Sequence, residues 1–120
     1  MKIGTSATQK IKDKIHAEMR RIAIRRHPAC VCCGRSDGIL QGGHLIPKKR
    51  SEAVRFDLMN LFTQCSGCNS FHTRDQHRFI EWFIREYGQE EYLDLLERSR
   101  KIVKRNKTNL RELLEEYKKI

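Results

Sequence analysis

Two cysteine pairs of identical spacing, Cys30-x-x-Cys33 and Cys65-x-x-Cys68, flank the segment Gln41-Gly42-Gly43-His44-Leu45-Ile46-Pro47. A C-x-x-C turn presents two thiols from one knuckle, and two knuckles supply the four soft ligands of a tetrahedral zinc site. Such a site would tie the two ends of a 31-residue span together. The alternatives are reduced core cysteines or a disulfide pair. The start Met1-Lys2-Ile3-Gly4-Thr5 lacks the apolar run of a secretory signal, and no stretch has the length of a membrane span. A cytoplasmic setting is therefore expected, where paired cysteines hold metal rather than forming disulfides. The zinc site should be closed and structural, with no open position to activate water. Cys32 is a bystander, because Cys30-x-x-Cys33 keeps the spacing and runs into Gly34.

The chain has 120 residues, 38% apolar and 33% charged. That suits one modest globular domain whose small core a structural metal would support. The net charge of +10 is unevenly placed. The first fifty residues carry 12 Lys and Arg against 3 Asp and Glu, and the remainder 13 against 12. A positive field concentrated in the N-terminal part points to a polyanionic partner, nucleic acid above all.

Residues 1–8 are small and polar, a frayed start. Ile11, Ile15, Met19 and Ile22 then recur at helical spacing and predict a basic helix over 9–27, closed by Pro28. Its charged faces could follow phosphates or simply face water. Residues 30–38 form the first knuckle, 39–46 a strand ended by Pro47, and 58–64 a second extended piece leading into Cys65. One long helix is expected over 69–87, with Phe79, Ile80, Phe83, Ile84 and Tyr87 as its apolar stripe and Gly88 as its stop. Trp82 would dock on a neighbouring element. Another helix is expected over 89–103, with Tyr92, Leu93, Leu96 and Val103 inward. Asn109-x-x-Glu112 reads as a capping box for a last helix bearing Leu110, Leu113, Leu114 and Tyr117. The fold class is α+β. A basic N-terminal helix (1–28) precedes a zinc-bound core of two strands and a helix (29–87), and a helical extension (88–120) completes a single domain.

A zinc-tied ββα unit with His44 on its first strand, Asn60 ahead of the second cysteine pair and Asn69 directly after it is a specific constellation. It resembles the HNH, or ββα-metal (His-Me finger), nuclease superfamily over residues 30–77. Gly42-Gly43-His44, Arg55-Phe56, Asn60-Leu61, Gln64-Cys65-x-x-Cys68-Asn69 and Tyr87-Gly88 narrow the match. These residues resemble the phage NinG/Rap family of recombination endonucleases acting on branched DNA.

The resemblance implies a metal-dependent DNA endonuclease, selective for branched or Holliday-junction DNA, serving phage recombination in a bacterial host. His44 would be the general base, and imidazole suits that task at neutral pH. A Mg²⁺ or Mn²⁺ ion distinct from the zinc would polarise the phosphate, with Asn69 supplying a side-chain oxygen. Asn60 would fasten the His44 loop through backbone hydrogen bonds. Products would carry 5′-phosphate and 3′-hydroxyl ends. Lys48, Lys49, Arg50 and Arg55 would meet DNA phosphates.

Many relatives in the superfamily keep a metal-binding side chain just before the base, where this chain has Gly43. His72, one helical turn beyond Asn69, is the first candidate for the missing ligand. His77 is a weaker one, as are Asp75 and Asp57. Symmetric cutting would need two sites, so a homodimer through the last helices is one expectation; Leu110, Leu113, Leu114 and Tyr117 could equally complete the core of one chain. A non-catalytic zinc-knuckle protein that binds nucleic acid is the alternative function.

Overall fold

The computed structural model of the chain describes residues 6–120, so most of the polar start expected to fray lies outside the described residues. Ser6 already caps the first helix, its side chain accepting from the Gln9 N–H at 3.0 Å. The helix α1 spans Ala7–Arg26 and ends at His27, immediately before Pro28. Ile15, Met19, Ile22 and Ala23 form its buried face, the stripe that the sequence spacing gives.

Strand β1 (Leu40–His44) pairs antiparallel with β2 (Leu61–Cys65), from Leu40 opposite Cys65 to His44 opposite Leu61. The first strand is shorter than expected at both ends. Ile39 is three-quarters exposed. Leu45 and Ile46 leave the ladder because Asn60 takes over their polar groups. Its backbone carbonyl accepts from Leu45 N–H, and its side chain bonds both the N–H and the carbonyl of Ile46. The second strand begins at Leu61 because Asp57 caps a 3-10 turn over Leu58–Asn60.

Alternation along β2 sends neighbouring residues to opposite faces. Leu61 joins a cluster with Ile15, Met19, Ile22, Leu110, Leu114 and Tyr117. Phe62 joins a second cluster with Leu45, Val54, Phe79, Phe83 and Leu95. Every residue of β2 is buried, so the two-stranded sheet is covered on both faces and forms the centre of the molecule.

The long helix expected over 69–87 is two helices, α2 (Ser66–His72) and α3 (His77–Tyr87). The polar run Thr73-Arg74-Asp75-Gln76 offers local bonds that compete with helix. Thr73 Oγ1 donates to the Ser70 carbonyl, and Asp75 Oδ1 accepts from the His77 N–H. The break re-aims α3 so that Phe79, Trp82 and Phe83 are buried. The next helix, α4, covers Gln89–Ser99 and stops short of residue 103. Ser99 Oγ bonds the Leu96 carbonyl, and Ser51 Oγ captures the Ser99 carbonyl. Its buried residue is Leu95, whereas Leu93 is half exposed.

The last helix, α5, spans Lys107–Lys118. Its capping box is Asn106 with Asn109, three residues earlier than the sequence reading placed it. Leu110, Leu114 and Tyr117 close against α1 within the same chain. They complete the core, the second of the two roles open to them.

Candidate metal centre and histidine cleft

The first knuckle turns at Gly34, whose φ of +81° is a conformation that suits glycine, and whose N–H donates to the Cys30 carbonyl at 2.8 Å. The second knuckle lies where strand meets helix. Cys65 ends β2 and caps α2, its sulfur accepting from the Cys68 N–H at 3.4 Å. The Sγ atoms of Cys30, Cys33, Cys65 and Cys68 all lie within 4.8 Å of one another. A tetrahedron with Zn–S bonds of about 2.3 Å has sulfur–sulfur edges of about 3.8 Å. Cys33 and Cys65 stand 3.7 Å apart. None of these cysteines is in a disulfide.

The thiols show what such a cluster needs. Burial works to raise Cys30, but the backbone groups of Cys65, Cys33 and Cys32 outweigh it and hold the thiol down at about 7. Cys68 is pushed far up by burial and by the crowding of Cys65, Cys33 and Cys30. Four thiolates this close require a cation between them, and the donor set suits zinc. Cys32 stands outside the cluster. Its sulfur accepts from Gln64 Nε2 at 3.3 Å, and burial raises its thiol.

A cleft of about 670 Å³ opens between α1, the end of β1, the loop after it and α2. His44, Asn69, Lys48 and Lys49 line it. His44 Nε2 lies 2.9 Å from the Arg55 carbonyl oxygen. A carbonyl only accepts, so the neutral ring carries its proton on Nε2, and the Nδ1 lone pair is left for the cleft. Burial is the largest influence on this imidazole and lowers its pKa. The bond to Arg55 opposes that, and the charges of Lys48 and Arg55 add to it. Asn69 gives its amide N–H to Gln41 Oε1 at 2.9 Å, and its Oδ1 has no protein hydrogen bond among the described residues.

Asn60 is fully buried and does not face the cleft. It binds the backbone of Ile46 twice, at 2.8 and 3.0 Å, and the Val54 carbonyl at 3.0 Å. His72 borders the cleft but is 5% exposed. Its Nε2 meets the Leu45 carbonyl at 2.9 Å, its ring packs on Phe79, and its Nδ1 is buried without a partner. That geometry pins α2 to the end of β1 and leaves no open nitrogen. His77 is far exposed at the start of α3, paired with Glu81 at 2.9 Å. Asp57 pairs with Arg98, and Asp75 accepts from the His77 N–H; neither lines the cleft. Arg50 bonds Gln76 Oε1 at 3.4 Å. Arg55 is no surface cation. Its side chain is 14% exposed, and it engages Glu52 and His16.

Sequence reading missed the wall that α1 supplies. Asp13, His16 and Arg20 all line the cleft. The signal was present as polar residues three and four apart beside the apolar stripe of α1. His16 meets His44 edge to face, with ring centroids 5.3 Å apart. Burial lowers its pKa to about 4, helped by His44 and by the charges of Arg55 and Lys48 and opposed by Asp13. Arg20 fastens α1 to β1 through two bonds to the Leu40 carbonyl, at 2.9 and 2.7 Å.

The fold and site define a mixed α and β protein built on a two-stranded sheet, with a four-cysteine cluster able to hold zinc beside a basic, histidine-floored cleft. The family described as Bacteriophage Lambda NinG protein matches residues 4–120, and the chain belongs to that family, a phage family associated with recombination. No curated protein and no solved structure gives a significant match. Among the described residues no helix is long and apolar enough to cross a membrane.

Proposed function

We propose that this protein is a metal-dependent DNA endonuclease of HNH type, selective for branched DNA. The observation that carries the reading is the setting of His44. Its Nε2 is committed to the Arg55 carbonyl, its Nδ1 is free, and it stands in a cleft that also holds Asn69, Lys48 and Lys49. The order strand β1, strand β2, helix α2, with cysteines at the strand–helix junction, supports the same superfamily.

In this reading Lys48 and Lys49 draw the DNA backbone into the cleft. His44 Nδ1 accepts the proton of the attacking water. Asn69 presents an unpaired amide oxygen, a hard donor suited to Mg²⁺ or Mn²⁺, and when bound that ion would supply electrophilic stabilisation of phosphate charge. Asn60 holds the loop that follows His44, so the base keeps its place. The products carry 5′-phosphate and 3′-hydroxyl ends. The four cysteines hold zinc as a frame and take no part in the chemistry.

The test is cleavage of duplex and four-way-junction DNA with Mg²⁺ or Mn²⁺, beside a His44→Ala variant. Wild type should cut, and cut the junction faster. The variant should bind DNA but lose activity by about 10²-fold or more. Intact substrate with both proteins, despite binding, would leave a non-catalytic zinc module instead.

A further inference from the structure

Arg55 touches two histidines, and it does so with groups of opposite polarity. Its backbone carbonyl receives His44 Nε2 at 2.9 Å. Its side-chain Nε–H points at His16 Nε2 at 3.4 Å. A carbonyl can only accept and a guanidinium can only donate. His44 must therefore carry its proton on Nε2, and His16 on Nδ1. Both rings line the same cleft and meet edge to face. Neither Nδ1 has a protein partner among the described residues, and neither is sealed from solvent.

We infer that Arg55 fixes opposite neutral tautomers on the two histidines. His44 thereby offers a lone pair to the cleft, while His16 offers an N–H hydrogen-bond donor for an oxygen of the bound phosphate. The second half rests on the nuclease reading; the tautomer assignment does not. Arg55 is suited to this task because it is held itself. Glu52 pairs with its Nη1 at 3.2 Å, and its guanidinium lies 5.3 Å from the Phe56 ring centre. The two Nδ1 atoms then form one device: the base removes the proton of the water while the donor beside it steadies charge on the phosphate. A neutral donor is useful next to a general base. A protonated imidazole at the same place would repel a cation held at Asn69 and work against protonation of His44.

Two measurements test this on the full chain. The ring-nitrogen resonances of ¹⁵N-labelled protein at neutral pH report tautomers directly, with no need of activity. The expected result is protonated Nε2 in His44 and protonated Nδ1 in His16. In Arg55→Lys the His16 pattern should change while that of His44, bonded to a backbone carbonyl, should not. The same tautomer on both rings of the wild type would overturn the inference. For the donor role, His16→Leu should lower kcat on junction DNA roughly 10- to 100-fold with KM little changed, since a donor to the reacting group acts chiefly in the transition state. His16→Asn, whose amide N–H replaces Nδ1–H, should recover most of the loss. If His16→Leu keeps kcat within twofold, or His16→Asn falls as far as His16→Leu, the donor role is wrong. A wild type that cuts no DNA would remove the nuclease reading and the donor role with it, while the nitrogen spectrum still decides the tautomers.

Discussion

The space beside the Gly43 Cα that a side chain would need is filled by the carboxamide oxygen of Gln64. A Cβ built at Gly43 would collide with Gln64 Oε1 and come within 3.0 Å of Asn69 Oδ1. Gln64 is fully buried and its Nε2 is tied to Cys32 Sγ at 3.3 Å, so the carboxamide is held in place. The glycine is thus a fitted hole and not merely a lost ligand. Gly43→Ala should cost about 1–3 kcal/mol, as overpacking does, and Gly43→Asp should cost more because a carboxylate would face two amide oxygens. Thermal denaturation of both variants checks this. An Asp variant that is as stable as wild type and more active would show that the position is open to a ligand after all.

The four-cysteine cluster makes a separate claim about stability. A cluster with its sulfurs within 4.8 Å closes the knuckle at Cys30 onto the strand–helix junction at Cys65. Purified protein should carry one zinc per chain. Cys33→Ser should lose the metal and a large share of the folding free energy. Cys32→Ser should keep full zinc content, since that sulfur serves Gln64. Metal analysis on the two variants separates them, and equal zinc loss in both would reassign the ligands. A chelator at low concentration should also stop cleavage before the zinc leaves. Activity lost only together with the fold would argue against a second, loosely held ion.

The elements that were legible in the sequence are those with a strong local signal. The stripe Ile15, Met19, Ile22 and the stop at Gly88 come directly from periodicity and from glycine. The break at Thr73–Gln76 was not legible, because side chains that compete with a helix also occur within helices, and only the packing of Phe79 and Phe83 decides between them. The candidate site shows the same division. Asn69 directly follows Cys68 and His44 lies between the two cysteine pairs, so both could be found by spacing. His16 comes from 28 positions upstream and reaches His44 only because α1 crosses the sheet. The conversion of Arg55 from expected phosphate contact to buried clasp likewise depends on Glu52 and His16 lying beside it in space.

Three imidazoles are lowered, His16 and His44 in the cleft and His27 at the end of α1, and the pH response follows from them. His44 works as the free base, and its pKa lies below the usual 6.5. The half-maximal point of the acid limb of cleavage should therefore lie below pH 6.5, with activity falling as acid protonates Nδ1. Stability runs in the same direction. The unfolded chain takes up protons on these histidines below about 6.5, whereas folded His16 resists until about 4. The unfolded state thus binds more protons in that window, and stability drops as pH falls through it. Urea denaturation at pH 7.5 and pH 5 checks the sign. In His16→Leu the pH dependence should be shallower, and an unchanged slope would mean that His16 ionises freely in the folded chain.

Asn60 carries the last test, because one side chain serves three backbone groups. It accepts from the Ile46 N–H and donates to the carbonyls of Ile46 and Val54, all inside the protein. Truncation to Ala would leave the N–H and the carbonyl of Ile46 unpaired, at about 1–3 kcal/mol each when neither finds water, while the Val54 carbonyl keeps the Asp57 N–H at 3.2 Å. A loss of at least about 2 kcal/mol is expected. Asn60→Asp keeps the acceptor; protonated, it can return one of the two donations, and ionised it returns neither and sets a carboxylate against two carbonyl oxygens. Such a carboxyl is raised well above its unfolded value near 4, so the protonated form fits and the ionised form does not. The stability gap between Asn60→Asp and wild type should therefore be smallest at pH 4 and widen as pH rises, while the Asn60→Ala gap stays flat. Comparing each variant with wild type at the same pH cancels the histidine contribution. Should the two gaps run parallel, the loop after His44 is held by something other than the Asn60 amide.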